Sequence, residues 1–168
     1  KSVAGLLFTP ALLVYALLRK QFIYLLKNKL LYLYFFGFIA IVGSYYLIRE
    51  SMNPGYISAV IENEFGSRYS KVLEGHYGGP FFYYDYIVDE GFRNWYLFVF
   101  PGLALSLVSK GSRLKNLALL LLLTTFSFLL ILSNSETKIT WYAMPVFPLL
   151  ALSASLFFYW LFEVLRNG

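Results

Sequence analysis

Cysteine is absent from the 168 residues, which excludes a disulfide framework and a thiolate metal site. Charge is scarce as well: Asp, Glu, Lys and Arg make up 14% of the chain, against about 25% in an ordinary soluble domain. Histidine occurs once, as His76. The apolar runs Leu30–Ile48 and Leu117–Leu132 hold no charged residue, which argues against a transporter, since such proteins place ionisable groups near the bilayer centre. No P-loop, dinucleotide fingerprint or Ser/His/Asp arrangement is present, and the Gly pairs lie in loops. Nucleotide-dependent soluble chemistry is therefore not supported.

What the chain has instead is apolar surface. Hydrophobic residues are 59% and aromatics 21%, with 17 Phe and 15 Tyr, and the mean hydropathy is +0.63. Many aromatics sit at the ends of apolar runs, where an amphipathic ring lodges at headgroup level. The formal net charge of +5 reports loop topology in such a chain, so nucleic-acid binding gains no support from it. The first residue is Lys1, and no basic n-region or cleavage site precedes the run from Val3. The expectation is a fragment of a larger protein.

Crossing a hydrocarbon core of ~30 Å takes roughly 20 residues, and five runs qualify when short ones with polar ends are admitted: Ser2–Leu18, Leu30–Ile48, Trp95–Val108, Leu117–Leu132 and Ala143–Phe162. The third is short, and Pro101-Gly102 inside it predicts a kinked or partly re-entrant helix. Arg19–Lys29 and Ser109–Asn116 carry bases and no acid, which marks both as cytoplasmic. Between them Arg49–Asn94 carries four bases against seven acids, a net of −3, and belongs outside. The link Ser133–Tyr142, with Glu136 and Lys138, falls on the same outer side by alternation. The predicted fold class is an all-α integral membrane protein: residues 1–168 form a single transmembrane region, a bundle of about five helices with one folded extracytoplasmic loop over 49–94. Within that loop Tyr56–Glu64 reads as a short amphipathic helix and Pro80–Val88 as an aromatic segment lying in the interface.

Three constellations bear on chemistry. The first runs from Glu62-Asn63-Glu64 through Arg68-Tyr69 and Glu74-Gly75-His76 to Gly79-Pro80-Phe81-Phe82-Tyr83-Tyr84. Imidazole beside carboxylates suits a divalent cation, and a guanidinium grips a phosphate with two parallel hydrogen bonds. The same residues also fit a solvated loop with His76 in an interfacial turn. The second is Lys138 with Trp141-Tyr142 and Pro145/Pro148: a lysine outside a two-proline helix reaches an anionic headgroup, or it snorkels while Trp141 and Tyr142 form part of an aromatic belt. The third is Lys1 at an outer helix start, followed by Ser2 and, further on, Pro10.

In this order, and separated by these helices, the three resemble the GT-C membrane glycosyltransferases of the protein O-mannosyltransferase and aminoarabinose transferase type. Glu62-Asn63, Arg68-Tyr69, Gly75-His76 and Gly79-Pro80-Phe81-Phe82-Tyr83-Tyr84 are similar to that family's Glu-Asn/His, Arg-Phe/Tyr and His-Arg-Gly-Pro-Phe-Trp-Tyr-Tyr run; Lys138, Tyr142, Pro145 and Pro148 are similar to its closing Lys, Tyr, Leu, Pro and Pro. Two residues depart from the pattern. Ser2 stands where the family has Gly, and Tyr77-Gly78 stands where it often has Arg. The resemblance implies transfer of a sugar from a polyprenyl-phosphate carrier to a lipid, glycan or protein acceptor outside the cytoplasm of a bacterium, with the chain embedded in the inner membrane bilayer. It implies a phosphate near Arg68 and Lys138, Tyr142 lining the site, and a divalent metal ion near Glu62 and His76. The family's catalytic carboxylate is then expected upstream of Lys1. Set against this reading is a non-catalytic membrane scaffold or a transport module for lipid-linked sugars.

Overall fold

The computed structural model describes residues 4–62 and 77–167. Arg68 and His76, together with Lys1, Glu64 and Glu74, lie outside the described residues. The described chain is helical and contains no strand. A single turn of 3-10 helix, Ala4–Phe8, leads into α1 (Thr9–Leu18). Then come α2 (Phe22–Lys27), α3 (Lys29–Met52), α4 (Tyr56–Ile61), α5 (Phe82–Tyr86), α6 (Tyr96–Val108), α7 (Ser112–Ser133) and α8 (Phe147–Asn167). A π-helical turn at Ile87–Gly91 and a 3-10 turn at Arg93–Trp95 join α5 to α6, and a 3-10 stretch over Thr140–Val146 runs into α8.

Three segments are long and apolar enough to cross a membrane: Lys29–Met52, Ser112–Ser133 and Thr140–Arg166. With those, the chain is an all-α membrane bundle. Gly5–Leu18 is a shorter apolar helix. So is α6, whose 13 residues rise about 20 Å at ~1.5 Å each, less than a ~30 Å core. The predicted amphipathic segment at Tyr56–Glu64 is helical as α4, and part of the predicted interfacial stretch is helical as α5. The basic link after α1 holds a helix that charge alone did not suggest: Phe22-Ile23-Tyr24-Leu25-Leu26 is apolar enough to form α2.

The core lies between α6, α7 and α8, with α1 against α7. Phe128 of α7 is fully buried and stacks on Phe8 at 4.7 Å. Leu103, Leu121, Val146 and Leu150 fill the space around it. Gly102 explains how α6 and α8 come so close. A Cβ built there would lie 2.2 Å from the Ser153 carbonyl and 2.9 Å from the Phe157 nitrogen, both backbone atoms. The pair Pro101-Gly102, read from sequence as a kink signal, thus includes the contact point of two helices, and α6 runs on through Pro101.

Helix α3 stands apart. It buries no residue and packs only on its neighbours α2 and α4. Its 24 residues are apolar around most of the circumference, and Phe35, Phe36, Ile41 and Leu47 are all exposed. A helix of that kind has the bilayer as its solvent. Its end is sharply built. Asn53 precedes Pro54, a position that avoids helical backbone, and Gly55 takes φ 93°, a left-handed value that costs glycine little. The Glu50 carboxylate then turns forward to accept from the amides of Gly55 (2.8 Å) and Ile57 (2.7 Å), capping α4. Arg49 lies over the Tyr56 ring at 5.2 Å and holds the same corner.

Candidate functional site at the outer end of the bundle

Helix α7 ends at Ser133, and the chain must turn back before α8. The last carbonyls of a helix have no partner within it. Lys138 supplies one. Its ammonium donates to the Ser133 carbonyl at 2.7 Å and to the Ser135 carbonyl at 2.6 Å, while Ser135 Oγ donates to the Leu132 carbonyl at 2.7 Å. A cation at a helix C-terminus is also favoured by the aligned peptide dipoles. The Lys138 side chain is not extended into solvent: the residue is 5% exposed. That burial draws the ammonium pKa below the usual lysine value, and Glu136 pulls it partly back. Snorkelling, the simpler of the two sequence readings, does not describe a lysine held in this way.

A second element meets the link from the side of the long loop. Tyr83, in α5, is fully buried within the hydrophobic core. Its hydroxyl accepts from the Ile139 amide at 3.3 Å, although 56 residues separate the two in sequence. Burial pushes the phenol pKa up, the Ile139 amide works the other way, and the nearby Tyr142 phenol raises it further. The aromatic run Phe81-Phe82-Tyr83-Tyr84 and the Lys138 link are therefore one place in the fold. Tyr83 was not singled out by the sequence among its aromatic neighbours; only its burial distinguishes it from Tyr84, which is exposed.

Tyr142, expected to line the site, is half-buried against the core at this same end. Thr137 and Ala143 beside it are buried. Glu62, expected near a metal, is the exposed residue that closes α4. Among the described residues no group of three or more His, Cys, Asp or Glu could hold a metal ion. Of the five residues expected in the site, then, the structure brings Lys138 and Tyr142 together and adds Tyr83. It places Glu62 at the surface, and Arg68 and His76 lie outside the described residues.

Chemically, this end offers one buried ammonium and two phenols. The ammonium has three N–H donors, of which two meet carbonyls. No protein-family model, curated protein or solved structure matches the chain.

Proposed function

We propose that the chain is the central to late transmembrane part of a glycosyltransferase that moves a sugar from a polyprenyl-phosphate carrier to an acceptor on the periplasmic side of a bacterial inner membrane. The observation that supports this reading best is the Tyr83–Ile139 hydrogen bond of 3.3 Å. It joins two sequence constellations that a phosphate site would need on the same side of the membrane.

In the proposed reaction the acceptor oxygen attacks the anomeric carbon, the bond from that carbon to the phosphate oxygen breaks, and the lipid phosphate leaves with the bonding electrons. The acceptor proton goes to a carboxylate expected upstream of Lys1. Charge that develops on the leaving phosphate is stabilised by preorganised donors. Lys138, through the N–H not directed at Ser133 and Ser135, and Arg68 are the residues assigned to that task, with Tyr142 as a wall. Glu62 and His76 are assigned to a divalent cation, and no step is drawn through it.

A second reading has its own support. Lys138 already directs two N–H groups at the end of α7, which is the behaviour of a structural cap in a membrane scaffold. The full-length protein separates the two, through transfer from a polyprenyl-phosphate sugar and detergent unfolding measured side by side for Lys138→Ala and Lys138→Arg. The proposal expects Lys138→Ala to lose about one to two decades in rate, the equivalent of a charge-assisted phosphate contact of roughly 1.5–3 kcal/mol, beyond any fall in the folded fraction. Activity that merely follows the folded fraction supports the scaffold, and absence of transfer by the intact protein removes the enzymatic reading.

A further inference from the structure

At the opposite end of the bundle, where α6, α7 and α8 finish or begin, the helices do not close completely. An open groove of about 180 Å³ runs between Leu105 and Ser109 of α6 and its exit, Leu114 of α7, and Leu156 and Trp160 of α8, with Glu163 at its mouth. Its walls are apolar. Its surroundings are basic: Lys110, Arg113 and Lys115 flank the lining residues in sequence and are exposed, and Arg166 lies one turn beyond Glu163. Glu163 is the only acid at this end, and Arg166 neutralises it with contacts of 2.8 Å to both carboxylate oxygens. Three cations remain without an acid to balance them.

From that combination we infer that the groove seats part of one acyl chain of an anionic phospholipid whose phosphate lies among Lys110, Arg113, Lys115 and Arg166. The argument is one of complementarity. An apolar slot between helices needs an apolar occupant, and a membrane supplies acyl chains on every side. Zwitterionic lipids would fill the slot equally well by shape, but only a net negative headgroup is held by the excess cations. The charge asymmetry of the loops assigns this end to the cytoplasmic leaflet, where anionic lipids raise the local attraction for Lys and Arg. The inference is independent of the transferase reading, because it concerns the other end of the bundle and none of its residues.

The test is native mass spectrometry of the full-length protein in detergent, titrated with phosphatidylglycerol or with phosphatidylcholine of the same chains. Phosphatidylglycerol is expected to be retained at a concentration at least tenfold lower, and Arg113→Gln with Lys115→Gln should remove most of that preference. Both residues are exposed, so the double variant is expected to fold. Ser109→Phe, which fills the mouth, should lower retention of both lipids. Equal retention of the two lipids by the unaltered protein overturns the proposal, as does a preference that survives the double neutralisation. Undiminished binding in a folded Ser109→Phe variant likewise removes the groove as the seat; if that variant does not fold, the charge variants decide.

Discussion

At the scale of single residues, the outer end of the bundle depends on two polar contacts made in apolar surroundings. Tyr83→Phe keeps the ring that fills the core and removes only the oxygen that accepts from Ile139. Leaving a buried amide without an acceptor costs roughly 1–3 kcal/mol, and the 3.3 Å length places the expected loss at the lower end, measurable by unfolding in mixed detergent. Lys138 yields a prediction in pH. Its folded-state pKa lies below the usual 10.5, so between the two values the unfolded chain binds more protons than the folded one, and stability rises with pH across that window. Below the folded pKa both states carry the charge and burial of the ammonium remains a constant penalty. The unaltered protein should therefore gain stability relative to Lys138→Gln as pH climbs toward 10.5, and a difference that stays flat or shrinks would contradict the burial argument. Lys138 and Tyr142 were legible in sequence because a lone lysine outside a two-proline helix is unusual. Tyr83 was not, because no spacing separates it from Phe81, Phe82 and Tyr84, and burial is a property of the packed bundle.

At the scale of elements, the apolar runs located the helices because length and hydropathy are local, additive properties. What they did not reveal was which helices touch. Gly102 was legible only as a helix disturber, yet its lack of a side chain lets the backbones of α6 and α8 meet. Small residues serve this purpose in membranes, where close van der Waals contact replaces the hydrophobic drive between helices. Gly102→Ala would put a carbon 2.2 Å from the Ser153 carbonyl, and since neither backbone can yield like a flexible side chain, the helices must separate. Overpacking of this kind costs typically 1–3 kcal/mol and sometimes more. Gly43→Ala on α3 is the control, because nothing lies within 4 Å of its Cβ position. There the change should be neutral or favour the helix by up to ~1 kcal/mol. Equal effects of the two alanines, in a side-by-side unfolding measurement, would mean that the α6–α8 contact does not hold the bundle together. Helix α2 was missed for a different reason: a basic link reads as a loop when charge is weighed first, although six residues with five apolar ones suffice for a short helix.

At the scale of the whole molecule, the charge pattern and the fold bear on one question, which ends of the bundle share a side of the membrane. Helices α6, α7 and α8 alternate in direction, so that Lys110, Arg113 and Lys115 lie at the end where α8 finishes with Arg166, while Tyr83 and Lys138 meet at the other. The sequence expected this division from the acid-poor links and the net −3 of Arg49–Asn94. The joining of α5 to the Lys138 link adds a geometric reason to it, because a hydrogen bond cannot be shared across a bilayer. Single cysteines at Phe81 and Ser112, both exposed positions, should then differ when an impermeant thiol reagent is added to intact cells. On a background without other cysteines, the residue introduced at Phe81 is expected to react directly, and the one at Ser112 only after the membrane is opened. The reverse order would invert the molecule and move the Lys138 end to the cytoplasm, where periplasmic transfer could not occur. Equal reaction from outside would mean that α6 and α7 do not place these two positions on opposite faces, and a 13-residue α6 lying in one leaflet would then be the simplest account.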